Sequence, residues 1–362
     1  NYLLMMFYTT VCGWMLYYFY LTVSGRFVGA TSEQVQAAFP EMLGKPVVMA
    51  VCMVAVVIVG FMINSFGLQG GLERVTKVMM IILLAIMVIL AINSILTEGS
   101  GEGLRFYLIP DFGRMAETGV ANVVVGAMNQ AFFTLSLGIG AMAIFGSYIG
   151  KGRALMGEAV NVAVLDTFVA FTAGLIIFPA CFAFNVSPDS GPNLIFVTLP
   201  NIFNHMAGGR WWGALFFLFM VFASLSTVLA VCENILACVR EMTGWSRPFA
   251  CLVCGIGIFL LALTTALGYS KFSSFVPFAE GSAWLDLWDF IVSTNLLPLG
   301  SLVIVLFCCN RRYGWGWEAF KTEANEGKGL KVKDWMRPFF SYVIPAVILL
   351  LYLYGLFTYN WR

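Results

Sequence analysis

Long apolar runs alternate with short polar turns along almost the whole chain. A helix needs about 20 mostly apolar residues to cross the hydrocarbon core of a bilayer. Nine runs meet that need: residues 2–24, 46–66, 76–97, 120–148, 159–184, 211–239, 248–268, 284–309 and 338–359. Backbone groups have no partners in lipid, so all nine are predicted to be helices. The fourth run is interrupted at its middle, in Asn129-Gln-Ala-Phe-Phe-Thr-Leu-Ser-Leu-Gly-Ile-Gly-Ala141. Thr134 and Ser136 place hydroxyls there, and Gly138 and Gly140, on either side of Ile139, weaken a helix. Two half-helices joined by an unwound link near 135–140 account for the pattern. Freed carbonyls and hydroxyls of such a link can hold a cation, and the second half-helix can face a carboxylate with its positive end. An unbroken helix whose glycines pack against neighbours accounts for it as well.

Composition narrows the class. Of 362 residues, 60% are hydrophobic and 11% charged, against about a quarter charged in ordinary globular chains. The chain reads as an all-α polytopic membrane protein. A net charge of +1 gives no reason to expect a nucleic-acid partner. With His205 the lone histidine, a histidine-based metal site or proton relay is not expected. The nine cysteines lie mostly in apolar runs; Cys251-x-x-Cys254 and Cys308-Cys309 read as packing residues. No nucleophile elbow, phosphate loop or H-E-x-x-H is present, and Asp166 has no second aspartate at matching depth, so no enzyme is expected.

If the Asn1 end is cytoplasmic, thirteen of the 20 Lys and Arg fall in cytoplasmic loops and seven outside, with most of the bias in 310–337. Nine crossings then leave the C-terminal end outside. Residues 98–119 read as a polar external loop containing Pro110-Asp111. Within 185–210, residues 194–203 are apolar but too short to span, and read as a re-entrant or capping hairpin. Such a hairpin is either a lid over an external vestibule or simple interfacial packing.

Ionisable and hydroxyl groups at membrane depth are the candidate chemistry. Asp166 has no basic neighbour in sequence. It is a sodium ligand, a proton carrier, or a carboxylate hydrogen-bonded to nearby backbone. Ser224, Ser226 and Thr227 cluster within one turn, and such hard oxygens suit a small cation, although they also commonly bond to their own helix. Glu233 follows at membrane depth. Glu241, beside Arg240, is a gate or surface charge; Asp286 and Asp289 share one helix face and can pair with an arginine or simply face solvent. The Tyr8 hydroxyl needs a partner if buried.

These residues resemble a known family. Phe132-Phe-Thr-Leu-Ser-Leu-Gly-Ile-Gly140 with Gly146-Ser-Tyr148 closely resembles the discontinuous sixth helix of neurotransmitter:sodium symporters, in particular the bacterial amino-acid branch. Tyr8 with Gly13-Trp14, Gly71-Leu-Glu-Arg74, Pro110-Asp-Phe112, Thr198-Leu-Pro200 and Asp286-Leu-Trp-Asp289 resemble further parts of it. The resemblance implies the inverted-repeat fold of the family's leucine transporters. Residues 1–119 would be what remains of the first repeat, 120–309 the second, with 185–210 as lid, and 310–362 a basic cytoplasmic loop and last helix. It implies that Tyr8 holds the substrate carboxylate, and that Phe133, Thr134, Ser136, Ile139, Thr227 and Val231 line the substrate pocket. Thr134 and Asp166 would bind one sodium; the Ala223 carbonyl and the Ser226 and Thr227 hydroxyls would bind another. Asp289, Glu241 and Tyr148 would be gate residues.

Two departures bear on function. Chloride-dependent members carry asparagine where Asp166 stands and serine near Ala170, so a fixed charge here replaces the anion and chloride independence is expected. The chain also starts inside an apolar run at Asn1, and the family's first two helices are missing, so a fragment of a longer protein is expected. The expected function is sodium-coupled import of a neutral, hydrophobic or aromatic amino acid by alternating access, in a bacterial inner membrane. The alternatives are proton coupling through Asp166 and a non-transporting scaffold or receptor on the same fold.

Overall fold

The computed structural model describes residues 1–184, 186, 191–278, 281–312 and 314–358, with the backbone alone at 68–70. Among them all regular structure is helical: α1 (Tyr2–Val23), α2 (Ser32–Leu43), α3 (Pro46–Ser65), α4 (Arg74–Leu96), α5 (Gly101–Leu108), α6 (Phe112–Thr118), α7 (Val120–Thr134), α8 (Ala141–Tyr148), α9 (Leu155–Ala183), α10 (Leu199–His205), α11 (Gly209–Thr243), α12 (Arg247–Ala266), α13 (Trp284–Asp289), α14 (Leu297–Cys309), α15 (Trp317–Ala324) and α16 (Ile344–Thr358). Wide π-type turns lead into α4, α10, α14 and α16.

Seven stretches among the described residues are helices long and apolar enough to cross a membrane: Pro46–Ser65, Gly71–Leu96, Leu155–Ala183, Gly209–Thr243, Arg247–Ala266, Trp284–Cys309 and Asp334–Thr358. The other two expected runs differ for separate reasons. α1 has 22 residues, enough length, but carries Tyr2, Tyr8, Tyr17, Tyr18, Tyr20 and several threonines, which lower its hydropathy. Residues 120–148 are divided between α7, with 15 residues, and α8, with 8. The predicted end of the last run at 359, and Arg362, lie outside the described residues, as do residues 185 and 187–190 of the expected hairpin.

The polar segments between the apolar runs are more ordered than their composition suggested. Residues 98–119 form α5 and α6; the Asp111 carboxylate caps α6 by accepting from the Gly113 and Arg114 amides at 3.0 and 3.1 Å. α2 begins with a reciprocal capping box between Thr31 and Gln34, a T-x-x-Q signal legible in the sequence.

The chain divides into two compact units. The first comprises residues 1–110, 169–277 and 281–285. There α1 packs against α3, α11 and α12, and α4 against α11. Gly13 allows the close approach of α1 and α3: a Cβ on it would meet the Met53 nitrogen at 3.0 Å. Toward the C-terminal half of α1, Trp14, Tyr18, Phe39 and Phe196 form a buried aromatic cluster, with Phe39 and Phe196 stacked at 5.1 Å. The described part of the expected hairpin is thereby anchored through buried Phe196, Leu199, Ile202 and Phe203.

The second unit is built from residues 111–168 and 286–358, with Phe278. α7, α14 and α16 pack together, and α16 is tied by two phenols. Tyr352 donates to the Asn295 side chain at 3.1 Å and Tyr354 to that of Asn122 at 3.2 Å. α9 contributes to both units, its residues up to Phe168 belonging to the second.

Candidate functional site

In the second unit, α7 ends where the sequence places its hydroxyls. The Leu137 amide donates to the Phe132 carbonyl at 2.9 Å and the Ser136 amide to that of Phe133 at 3.1 Å, the paired bonds of a Schellman turn. The left-handed residue this turn needs is Ser136, at φ 53°, rather than a glycine. The link continues through Gly138 (φ 78°) and Gly140 (φ 85°), and the Gly140 carbonyl starts α8 by accepting from Ala143 and Ile144. Gly138 has a second reason to be glycine. A Cβ on it would run into the Leu297 carbonyl and approach the Ser301 nitrogen and Oγ at 2.8 and 3.0 Å. Gly300 in turn faces the Gly138 backbone, so the link lies backbone to backbone on the first turn of α14.

Beside this link, the Thr134 hydroxyl donates to the Asp166 carboxylate, at 2.9 Å from one oxygen and 3.1 Å from the other. Two residues 32 apart in sequence thus place a hydroxyl oxygen and a carboxylate together, a donor set of hard oxygens suited to a small cation. Phe133 and Ile139 are half-buried on either side of the turn, and Tyr148 is exposed at the end of α8. Asp289 closes α13; the Ser293 hydroxyl donates to it at 2.6 Å.

In the first unit, α1 and α11 carry the remaining residues. The Tyr8 phenol on α1 and the Thr227 hydroxyl on α11 lie close enough to interact. The Ser226 hydroxyl donates to the Ala223 carbonyl at 2.7 Å, so these two oxygens sit side by side on one helix face. Ser224 points elsewhere: it is buried and donates to Cys12 on α1 at 3.1 Å. Val231 is buried one turn beyond Thr227. Glu241 is exposed near the C-terminal end of α11.

Sequence reasoning left Glu233 without a partner. The structure pairs it with Arg247, the first residue of α12. One guanidinium nitrogen donates to Glu233 Oε1 at 3.2 Å, a second bonds Oε2, and Nε donates to the Asn64 carbonyl of α3 at 2.6 Å. Glu233 is 1% exposed and Arg247 17%. Ser293, Gly300 and Ser301 were also missed; nothing in their local sequence marks them. For Glu233 a signal existed, because a carboxylate at membrane depth requires a cation and Arg247 opens the following helix. Among the described residues, no group of three or more His, Cys, Asp or Glu side chains is placed to hold a metal.

Comparison with known proteins agrees with this architecture. The model of the sodium:neurotransmitter symporter family matches residues 33–361. The chain is 32% identical over 306 residues to the uncharacterized sodium-dependent transporter YhdH of Bacillus subtilis (strain 168), covering 84% of this chain and 66% of that protein. It is 29% identical over 363 residues to an uncharacterized sodium-dependent transporter of Haemophilus influenzae, covering 98% and 76%. The chain therefore spans roughly two thirds to three quarters of these relatives. The crystal structure of MhsT in complex with L-phenylalanine superimposes with a TM-score of 0.85 at 34% identity, covering 97% of this chain and 78% of MhsT.

Proposed function

The chain belongs to the sodium:neurotransmitter symporter family, a family of transporters rather than enzymes, and on that premise we propose that it is the greater part of a sodium-coupled symporter importing a neutral, hydrophobic or aromatic amino acid by alternating access. It is a multi-pass integral membrane protein, and its bacterial relatives favour a bacterial inner membrane. We take it to cross the membrane nine times, the seven apolar spans being joined by α1 and by the interrupted pair α7–α8. The division into a first repeat (1–119), a second (120–309) and a final segment (310–362) belongs to the same proposal.

The observation that carries the reading is the Thr134–Asp166 contact beside the unwound link. A carboxylate in an apolar helix is costly unless a cation or donors compensate it, and here the donor is a hydroxyl whose oxygen keeps lone pairs for a cation. Thr134 and Asp166 are proposed as ligands of one sodium ion, and Ala223, Ser226 and Thr227 as ligands of another. Tyr8 is proposed to hold the substrate carboxylate. Phe133, Ser136, Ile139 and Val231 are proposed to take its apolar side chain, in keeping with the L-phenylalanine bound by MhsT. Asp289, Glu241 and Tyr148 are proposed gate residues. The Asp166 charge supplies the compensation that chloride gives elsewhere, so transport is chloride-independent.

Sodium-dependent binding of labelled L-phenylalanine to the full-length protein tests this. Asp166→Asn should weaken sodium dependence and bring a chloride requirement. Unchanged sodium dependence would remove Asp166 from the site. Uptake driven by pH without sodium would favour proton coupling through Asp166. No binding in any salt, with no sodium effect on thermal stability, would favour the scaffold reading.

A further inference from the structure

The segment between the last two spans is folded rather than slack. Trp317, Ala324 and Val332 form a small buried core, with Phe320, Met336 and Phe340 packed on it. Asn325 closes the loop by accepting from the Val332 amide at 2.7 Å and donating to its carbonyl at 2.9 Å. Lys328 is fixed by its backbone: its amide donates to Gly152 at 2.9 Å and its carbonyl accepts from Ala154 at 3.0 Å. Its side chain is exposed.

This scaffold displays one strip of unusual chemistry, residues 328–337. Val332 is turned inward, while Lys328, Leu330, Lys333, Trp335 and Arg337 face outward. Leu330 is 57% exposed and Trp335 67%. Asp334 is the strip's one carboxylate, and it is paired to Lys321 at 2.5 Å. Lys331 bonds back to the Asn325 and Gly327 carbonyls. Asp334 is shared between Lys321 and the charge of Arg337, so the cations of the strip outnumber its single carboxylate and leave it net positive. The final span begins at Asp334, so the strip lies where that helix meets the membrane surface. Tryptophan favours that depth, and cations there are attracted to anionic headgroups.

We propose that the strip 328–337 is a binding surface for anionic phospholipid headgroups, with Lys328, Lys333 and Arg337 meeting the phosphates and Trp335 and Leu330 seated at the acyl boundary. The fold supplies pre-ordering: the strip does not have to organise when lipid arrives, because the Val332 core and the Gly152–Ala154 bonds already hold it.

The test uses the full-length protein in vesicles containing brominated phosphatidylglycerol or brominated phosphatidylcholine. Bromine quenches tryptophan on contact, and subtracting the Trp335→Phe variant isolates Trp335. Each cation near an anionic surface favours the anionic lipid by about fivefold. The wild type should therefore prefer phosphatidylglycerol at Trp335 by at least tenfold in low salt, less in high salt. Lys328→Gln/Lys333→Gln/Arg337→Gln should lose most of that preference, whereas Lys328→Arg/Lys333→Arg/Arg337→Lys should keep it. Equal quenching by the two lipids, or a preference untouched in the glutamine variant, would overturn the proposal. So would displacement of the lipid by millimolar glycerol phosphate, which would mark a site for soluble phosphates instead. The readout needs no transport, so it stands or falls apart from the symporter reading.

Discussion

Arg247→Met should be among the most destabilising single changes in the first unit. The side chain makes three N–H bonds, two to Glu233 and one to the Asn64 carbonyl, and so ties α12 to α11 and α3. Methionine keeps most of the apolar stem but takes the guanidinium away from a carboxylate that is 1% exposed. Removing one partner of a buried pair costs about 3–5 kcal/mol, because the remaining charge keeps its desolvation penalty. Glu233→Met strands the guanidinium in the same way, though Arg247 retains the Asn64 carbonyl and more contact with solvent, so its cost should be lower. The double variant removes both charges, and should be more stable than the sum of the two losses implies, with an interaction energy of about 2–3 kcal/mol. Unfolding of the four proteins of this cycle in detergent, followed by tryptophan fluorescence, measures it. A loss below about 1 kcal/mol for Arg247→Met, or strict additivity in the double variant, would refute the claim that this pair is buried and mutually dependent.

Gly138→Ala should disable folding of the link: it adds a left-handed alanine, costing about 1–2 kcal/mol, to a collision with the Leu297 carbonyl and Ser301 backbone, and the yield of monodisperse protein reads the effect. Gly103→Ala should cost more than Gly174→Ala in thermal stability. A Cβ at 103 meets backbone at Phe178 and Pro179, whereas one at 174 meets the Tyr107 ring, which can swing. Glu41 offers a pH prediction. The hydrogen bond from Lys45 at 2.6 Å, then its charge, holds the Glu41 carboxyl below the ordinary range. Its contribution is complete above the ordinary glutamate pKa and fades as pH falls through the lowered folded value. Both groups are exposed, so Glu41→Gln should change only the acid limb of a stability–pH curve, slightly, and not at all in about 1 M salt.

Much of this protein was legible from one dimension. Lipid satisfies no backbone group, so an apolar run of sufficient length has one available conformation, and eight of the nine runs became helices within a few residues of their predicted limits. The hydroxyl and glycine spacing around Thr134–Gly140 coincides with the stretch between the end of α7 and the start of α8. Local capping signals such as Thr31 with Gln34 were equally available.

What needed the tertiary structure was every pairing between distant residues. That Asp166 meets Thr134, 32 residues away in the chain, and that Arg247 at the start of α12 meets Glu233 are facts no sequence pattern carries. Periodicity states which residues share a helix face, but not which face meets which helix. That choice depends on close approaches such as Gly13 on Met53 and Gly138 on Gly300, where the absence of a side chain matters only because of what lies opposite. Even the turn that ends α7 took Ser136 as its left-handed residue with two glycines close by. The chain's contact with α14 decides where the link must bend, and the residue standing at that position accepts the strain.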